Sequence, residues 1–247
     1  MVEQRHLIIG NGEVGSALAK VLGATYAIEV KDIEDKAIKP GFDVMHVCLN
    51  FAAMSQDDFV NTVREYAFYY AARLIDNCAT VTPGTTRMLG DNACHSTTRG
   101  LHPHLAESIL TFEKFIAGPC AGELAASYRL AGVKCRTYNK PETTELAHPL
   151  SNAYYGVCLA FMDEAYELCR QHGVDFMEAV VAYNQAHNAG YLELDHPGKL
   201  RPILYPPHGQ IGGHCVREGA RILLDSVPES VRAKLHQISV VAGYQKP

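Results

Sequence analysis

The chain is predicted to fold as a doubly wound parallel α/β sheet followed by a helical unit, and three observations carry that expectation. Short apolar runs alternate with segments of helical spacing through residue 140, the pattern of parallel strands joined by crossover helices. A glycine-rich turn, Gly10-Asn11-Gly12-Glu13-Val14-Gly15, stands between the first apolar run and the first helical segment. From Thr143 the alternation stops and one long helical pattern replaces it.

In order, residues 6–9 form the first strand, and residues 14–22 have helical spacing that ends at Gly23. Residues 26–30 are a second strand running into Lys31-Asp32, and residues 43–49 a third. A helix over 57–72 leads to a strand over 73–78, followed by a turn built on Pro83 and Gly84, with further strands at 113–117 and 133–138. About six strands result, enough for a Rossmann doubly wound parallel sheet. The long helix spans 143–172 with Pro149 in its first turns, a second helix spans 175–187, residues 192–213 are a Pro- and Gly-rich loop, and 216–224 and 229–237 close as helices. The expected division is a dinucleotide-binding domain over 1–142 and a helical dimerisation and substrate domain over 143–247.

Composition excludes several classes. The 247 residues are 47% hydrophobic, enough for a substantial core. The net charge of −5 and scattered basic residues offer no stripe for nucleic acid. No apolar run approaches membrane-spanning length and the N-terminus shows no signal-type segment, so a soluble cytoplasmic protein is expected. Eight cysteines without a CxxC pair read as reduced thiols, mostly small buried hydrophobes. Of the twelve histidines, neither His102 with His104 nor His208 with His214 and Cys215 matches a metal-ligand spacing, so no metal is expected.

The glycine turn carries the first chemical reading. Gly10 permits the tight turn, Gly12 lets backbone amides approach a pyrophosphate, and Gly15 lets helix and strand pack closely. Gly10, Asn11, Gly12, Glu13, Val14 and Gly15 therefore form the cofactor turn, with Asp32 at the end of the next strand. An acid there accepts the ribose hydroxyls and repels a 2′-phosphate, favouring NAD over NADP. The other reading of Asp32 is a solvated strand end.

The second reading rests on Gly209-Gln210-Ile211-Gly212-Gly213-His214-Cys215, a glycine loop that sets a cysteine just before a helix, where helix amides and a neighbouring histidine favour the thiolate. This loop resembles the GxxGGxC nucleophile loop of the UDP-glucose/GDP-mannose dehydrogenase family. Residues 79–86, Ala-Thr-Val-Thr-Pro-Gly-Thr-Thr, are similar to that family's STVPxGTT segment, and residues 144–152, Thr-Glu-Leu-Ala-His-Pro-Leu-Ser-Asn, to the start of its central helix. The likeness runs through nearly the whole chain, whereas the family's third, nucleotide-sugar-binding domain has no counterpart in these residues.

The resemblance implies hydride transfer to NAD, with Cys215 capturing an aldehyde as a thiohemiacetal, Thr80 positioning a water or hydroxyl, and Asn152 holding the oxyanion. It places the family's helix lysine at His148, which can donate a hydrogen bond or act as a base near neutrality. In place of the family's SPEFLREG segment stands a polar loop with Arg99, His102 and His104, read as contacting substrate together with Gly212, Gly213 and His214; an ordinary polar connection is the other reading. The expected substrate is a small alcohol or sugar derivative, and the expected assembly a homodimer through the long helix. The competing functions are a non-catalytic NAD-binding sensor or subunit, and a two-electron dehydrogenase in which Cys215 is structural.

Overall fold

The structure is a computed structural model, and it describes residues 4–32, 38–232 and 235–243. The chain divides into two compact units, Met1–His148 and Pro149–Pro247.

The first unit holds a single sheet. Its strands are β1 (Arg5–Ile9), β2 (Ala27–Lys31), β3 (Phe42–Val47), β4 (Ala72–Asn77), β5 (Ala93–His95), β6 (Lys114–Ala117) and β7 (Cys135–Tyr138). They lie in the order β2-β1-β3-β4-β5-β6-β7. Pairing is parallel throughout except between β5 and β6, where only His95 and Ala117 register. Because β2 and β3 flank β1 on opposite sides, the strand order reverses at β1, and ligands of such sheets bind beyond the strand ends at that reversal. The helices between strands are α1 (Glu13–Leu22), α2 (Gln56–Tyr69), α3 (Thr85–Leu89), α4 (Leu105–Thr111) and α5 (Ala121–Leu130). One sheet face buries Ile8, Val44, Leu74 and Ile116 against Leu18 and Leu22 of α1 and Leu124 and Tyr128 of α5. Seven strands stand where about six were expected, and β5 is the addition: three residues give no readable alternation.

α6 (Glu142–His172) begins where the composition changes. Glu142 and Glu145 place negative charge in its first turn, which complements the helix dipole. Pro149 sits inside the helix, and the division between the units falls just before it.

The second unit continues with a π-helical segment, Met177–Ala182, and then α7 (Tyr183–Glu193). The single α-helix expected over 175–187 is thus π-wound in its first part and runs further. A loop with one short 3-10 turn, Pro197–Lys199, leads to α8 (His214–Asp225), α9 (Glu229–Arg232) and α10 (His236–Ala242). α9 and α10 are separate, not the one helix expected over 229–237. Ala153 of α6, Val216, Ala220 and Leu223 of α8, and Val241 of α10 form one core, made close by Gly156, whose added Cβ would lie 2.4 Å from a Val241 methyl. Met162, Cys169, Phe176 and Val181 form a second. Among the described residues no helix is long and apolar enough to cross a membrane.

Candidate functional site

The turn between β1 and α1 is built around two glycines with no room to spare. Gly10 has φ 95°, and a Cβ there would lie 2.7 Å from the Cys48 carbonyl oxygen. At Gly15 a Cβ would lie 2.0 Å from the Gly10 carbonyl oxygen, so the helix can approach the strand only without a side chain. Gly12 is different: its backbone is extended and a Cβ would meet nothing within 4 Å. It caps α1 without any side-chain hydrogen bond, so the first amides of the helix are left to a ligand. The Gly10 amide donates to the Lys31 carbonyl at 2.8 Å, which ties the turn to the end of β2, and Asp32 follows there, exposed. These features fit a dinucleotide, with its pyrophosphate on the amides of α1 and a ribose at Asp32.

The loop over 97–104 meets this turn. His102 Nδ1 lies 2.6 Å from Glu13 Oε2. Glu13 therefore has a partner within the chain. His104 stands 3.7 Å from Glu107. Arg99 donates to the Glu113 carbonyl at 2.6 Å and lies over the rings of Phe115 and Phe112, at 5.1 and 5.7 Å.

Thr80 and His148 come together, with Thr80 Oγ1 3.3 Å from His148 Nδ1. Burial, reinforced by Arg99 and Lys114, lowers the His148 pKa to about 4. The imidazole is neutral at neutral pH, so the acid or base of near-neutral pKa expected from the sequence is replaced by a neutral hydrogen-bonding group. The turn from Thr80 to Thr86 is held by a residue given no role in the sequence reading. The fully buried Glu145 accepts from the amides of Gly84 at 2.6 Å and Thr86 at 2.8 Å, while burial raises its pKa. Beside it, His95 Nε2 donates to the Ala79 carbonyl at 3.0 Å, leaving Nδ1 to face Thr144 Oγ1 at 2.7 Å, and burial lowers the His95 pKa to about 4. The turn, β5 and the first turn of α6 are thus joined by polar contacts between residues far apart in sequence, which no local motif announces.

In the second unit, Cys215 is exposed in the first turn of α8, capped by Gly213 without a side-chain hydrogen bond. Asn152 Nδ2 donates to the Cys215 carbonyl at 3.4 Å, so the two residues are neighbours. Gly212 takes φ 65° and packs on Val216, leaving no space for a Cβ. The His214 side chain lies outside the described part. Helix N-terminus, exposed thiol and adjacent amide make an arrangement able to support covalent chemistry at sulfur.

Fold and turn together define the class: a Rossmann-type sheet with a glycine-rich turn at its strand-order reversal, followed by a helical unit. Its particular likeness is to nucleotide-sugar dehydrogenases. An NDP-N-acetyl-D-galactosaminuronic acid dehydrogenase from Ralstonia nicotianae is 26% identical over 141 residues, 56% of this chain and 30% of that protein. The match thus spans less than a third of the relative's length. A UDP-D-ManNAc dehydrogenase from Pyrococcus horikoshii superposes with a TM-score of 0.71 at 19% identity, covering 97% of this chain and 70% of that one. A 3-hydroxyisobutyrate dehydrogenase from Mycobacterium tuberculosis follows with 0.68 at 12% identity, covering 98% and 94%. No family model matches.

Proposed function

We propose that this protein is an NAD-dependent dehydrogenase that oxidises an alcohol carbon of a small substrate or sugar derivative, with Cys215 as the nucleophile. The observation that carries the reading is the pair of sterically obligatory glycines beneath an uncapped helix N-terminus at the reversal of the strand order. Gly10, Gly12 and Gly15 hold the pyrophosphate, with Asn11, Glu13 and Val14 completing the turn, and Asp32 takes the adenosine ribose in preference to a 2′-phosphate. The dinucleotide supplies hydride acceptance when bound.

The chain's own residues do the rest. Neutral His148 and Thr80 orient a hydroxyl or water by hydrogen bonding. The Cys215 sulfur adds to an aldehyde carbon while the proton passes to the carbonyl oxygen, giving a thiohemiacetal whose oxygen Asn152 helps to hold. Oxidation leaves a thioester, and water cleaves it to the acid and the free thiol. Arg99, His102, His104, Gly212, Gly213 and His214 are assigned to substrate contact. The protein works as a cytoplasmic homodimer in this reading.

The test is a screen of alcohols and sugar derivatives by NADH absorbance, with NADH counted per substrate consumed. Two NADH per substrate are expected. Cys215→Ser should lower acid formation by about a thousandfold or more while NAD binding persists. Acid formation by Cys215→Ser at the wild-type rate would remove the covalent step and leave a two-electron dehydrogenase. Absence of NADH with every substrate, despite tight NAD binding, would favour a sensor or subunit.

A further inference from the structure

The core of the first unit contains a polar cluster that the dinucleotide site does not use. His46 on β3, Asp76 on β4 and Cys78 just beyond β4 lie side by side and buried, where parallel strands are ordinarily apolar. Asp76 Oδ2 receives the Tyr128 hydroxyl at 2.6 Å, His46 Nδ1 at 2.7 Å and the Cys78 thiol at 3.3 Å, while Ser96 donates to Oδ1. A carboxylate oxygen with two lone pairs therefore faces three donors. His46 Nε2 lies 3.0 Å from His6 Nδ1. The nitrogen, oxygen and sulfur atoms of His46, Asp76 and Cys78 lie within 4.8 Å of one another.

We propose that His46, Asp76 and Cys78 form a buried site for a divalent metal ion of the zinc kind. One nitrogen, one carboxylate oxygen and one sulfur are three of the four donors of tetrahedral zinc, with the fourth position left to water. Around tetrahedral zinc, nitrogen and oxygen stand about 3.3 Å apart and oxygen and sulfur about 3.5 Å. The Asp76 contacts at 2.7 and 3.3 Å therefore need to open by about 0.6 and 0.2 Å.

Partners that hold such ligands in place are already present. His6 stands against the other nitrogen of His46, and Ser96 and Tyr128 hold Asp76. Coordination replaces the Cys78 thiol proton and the N–H proton that His46 directs at Asp76, and both go to solvent. One carboxylate and one thiolate neutralise the dication.

The full chain is unfolded and refolded with Zn²⁺ or Co²⁺, passed over a desalting column and assayed for metal. One equivalent per chain is expected, with the cobalt form showing a thiolate-to-cobalt charge-transfer band and tetrahedral d–d bands. Cys78→Ser should weaken metal binding by about tenfold or more, whereas Cys215→Ser should leave it unchanged. Refolded wild-type protein that retains no equivalent overturns the proposal whether or not the variants fold. So do cobalt bands that survive Cys78→Ser or vanish with Cys215→Ser.

Discussion

A methyl group at position 15 would sit 2.0 Å from the Gly10 carbonyl oxygen, whereas one at position 12 would meet nothing. Gly15→Ala should therefore cost about 2 kcal/mol of stability or more, and NAD binding with it. Gly12→Ala should leave stability within about 0.5 kcal/mol, yet lower NAD affinity, because its methyl group meets only the cofactor. Urea denaturation and calorimetric titration of both variants check this, and equal stability losses would be the wrong result. Glu145 is the counterpart on the other turn. Glu145→Gln sets an amide NH₂ against one of two backbone N–H groups, and should cost about 1–3 kcal/mol in urea unfolding. His95 and His148 give the pH dependence. Their folded pKa values of about 4 lie below the ordinary histidine value of about 6.5, so below 6.5 the unfolded chain takes up protons that the folded chain refuses. Stability should fall as pH drops from about 6.5 towards 4, with His95→Gln flattening the slope in urea titrations across that range.

At the scale of elements, the sequence was most informative where structure is locally determined. The strand, glycine turn and helix over residues 5–22 were legible because the reason for each glycine lies within a few residues of it. β5 was not, since Ala93, Cys94 and His95 are too few to show a period, and the single β5–β6 register pair gave no signal at all. His46 and Asp76 read as incidental polar residues in apolar strands, and only the parallel register that sets His46 beside Asp76 brings them together. In the candidate site, Thr80, His148 and Asn152 were named through a resemblance, whereas Cys215 was singled out first by its glycine loop and its place before a helix. Glu145 was passed over because its partners are the backbone amides of a turn 61 and 59 residues away, and backbone leaves no mark in composition.

At the scale of the whole molecule, Tyr154, Phe161 and Leu168 are 65, 61 and 57% exposed on α6 and recur at seven-residue intervals, so they form one apolar stripe. If that stripe is the homodimer face, sedimentation should give twice the chain mass for the wild type and the single mass for Tyr154→Asp with Phe161→Asp. A monomeric wild type at micromolar concentration would end the dimer reading. The first turn of α6 has a different consequence, one for dissecting the gene. Thr144 and Glu145 stand beyond the point where the composition changes, yet they grip His95, Gly84 and Thr86 of the first unit. A recombinant fragment that stops at residue 142 would be cut off from its own keystone and should be recovered as aggregate. One extended through His148 carries those anchors and should be the shortest soluble form of the sheet.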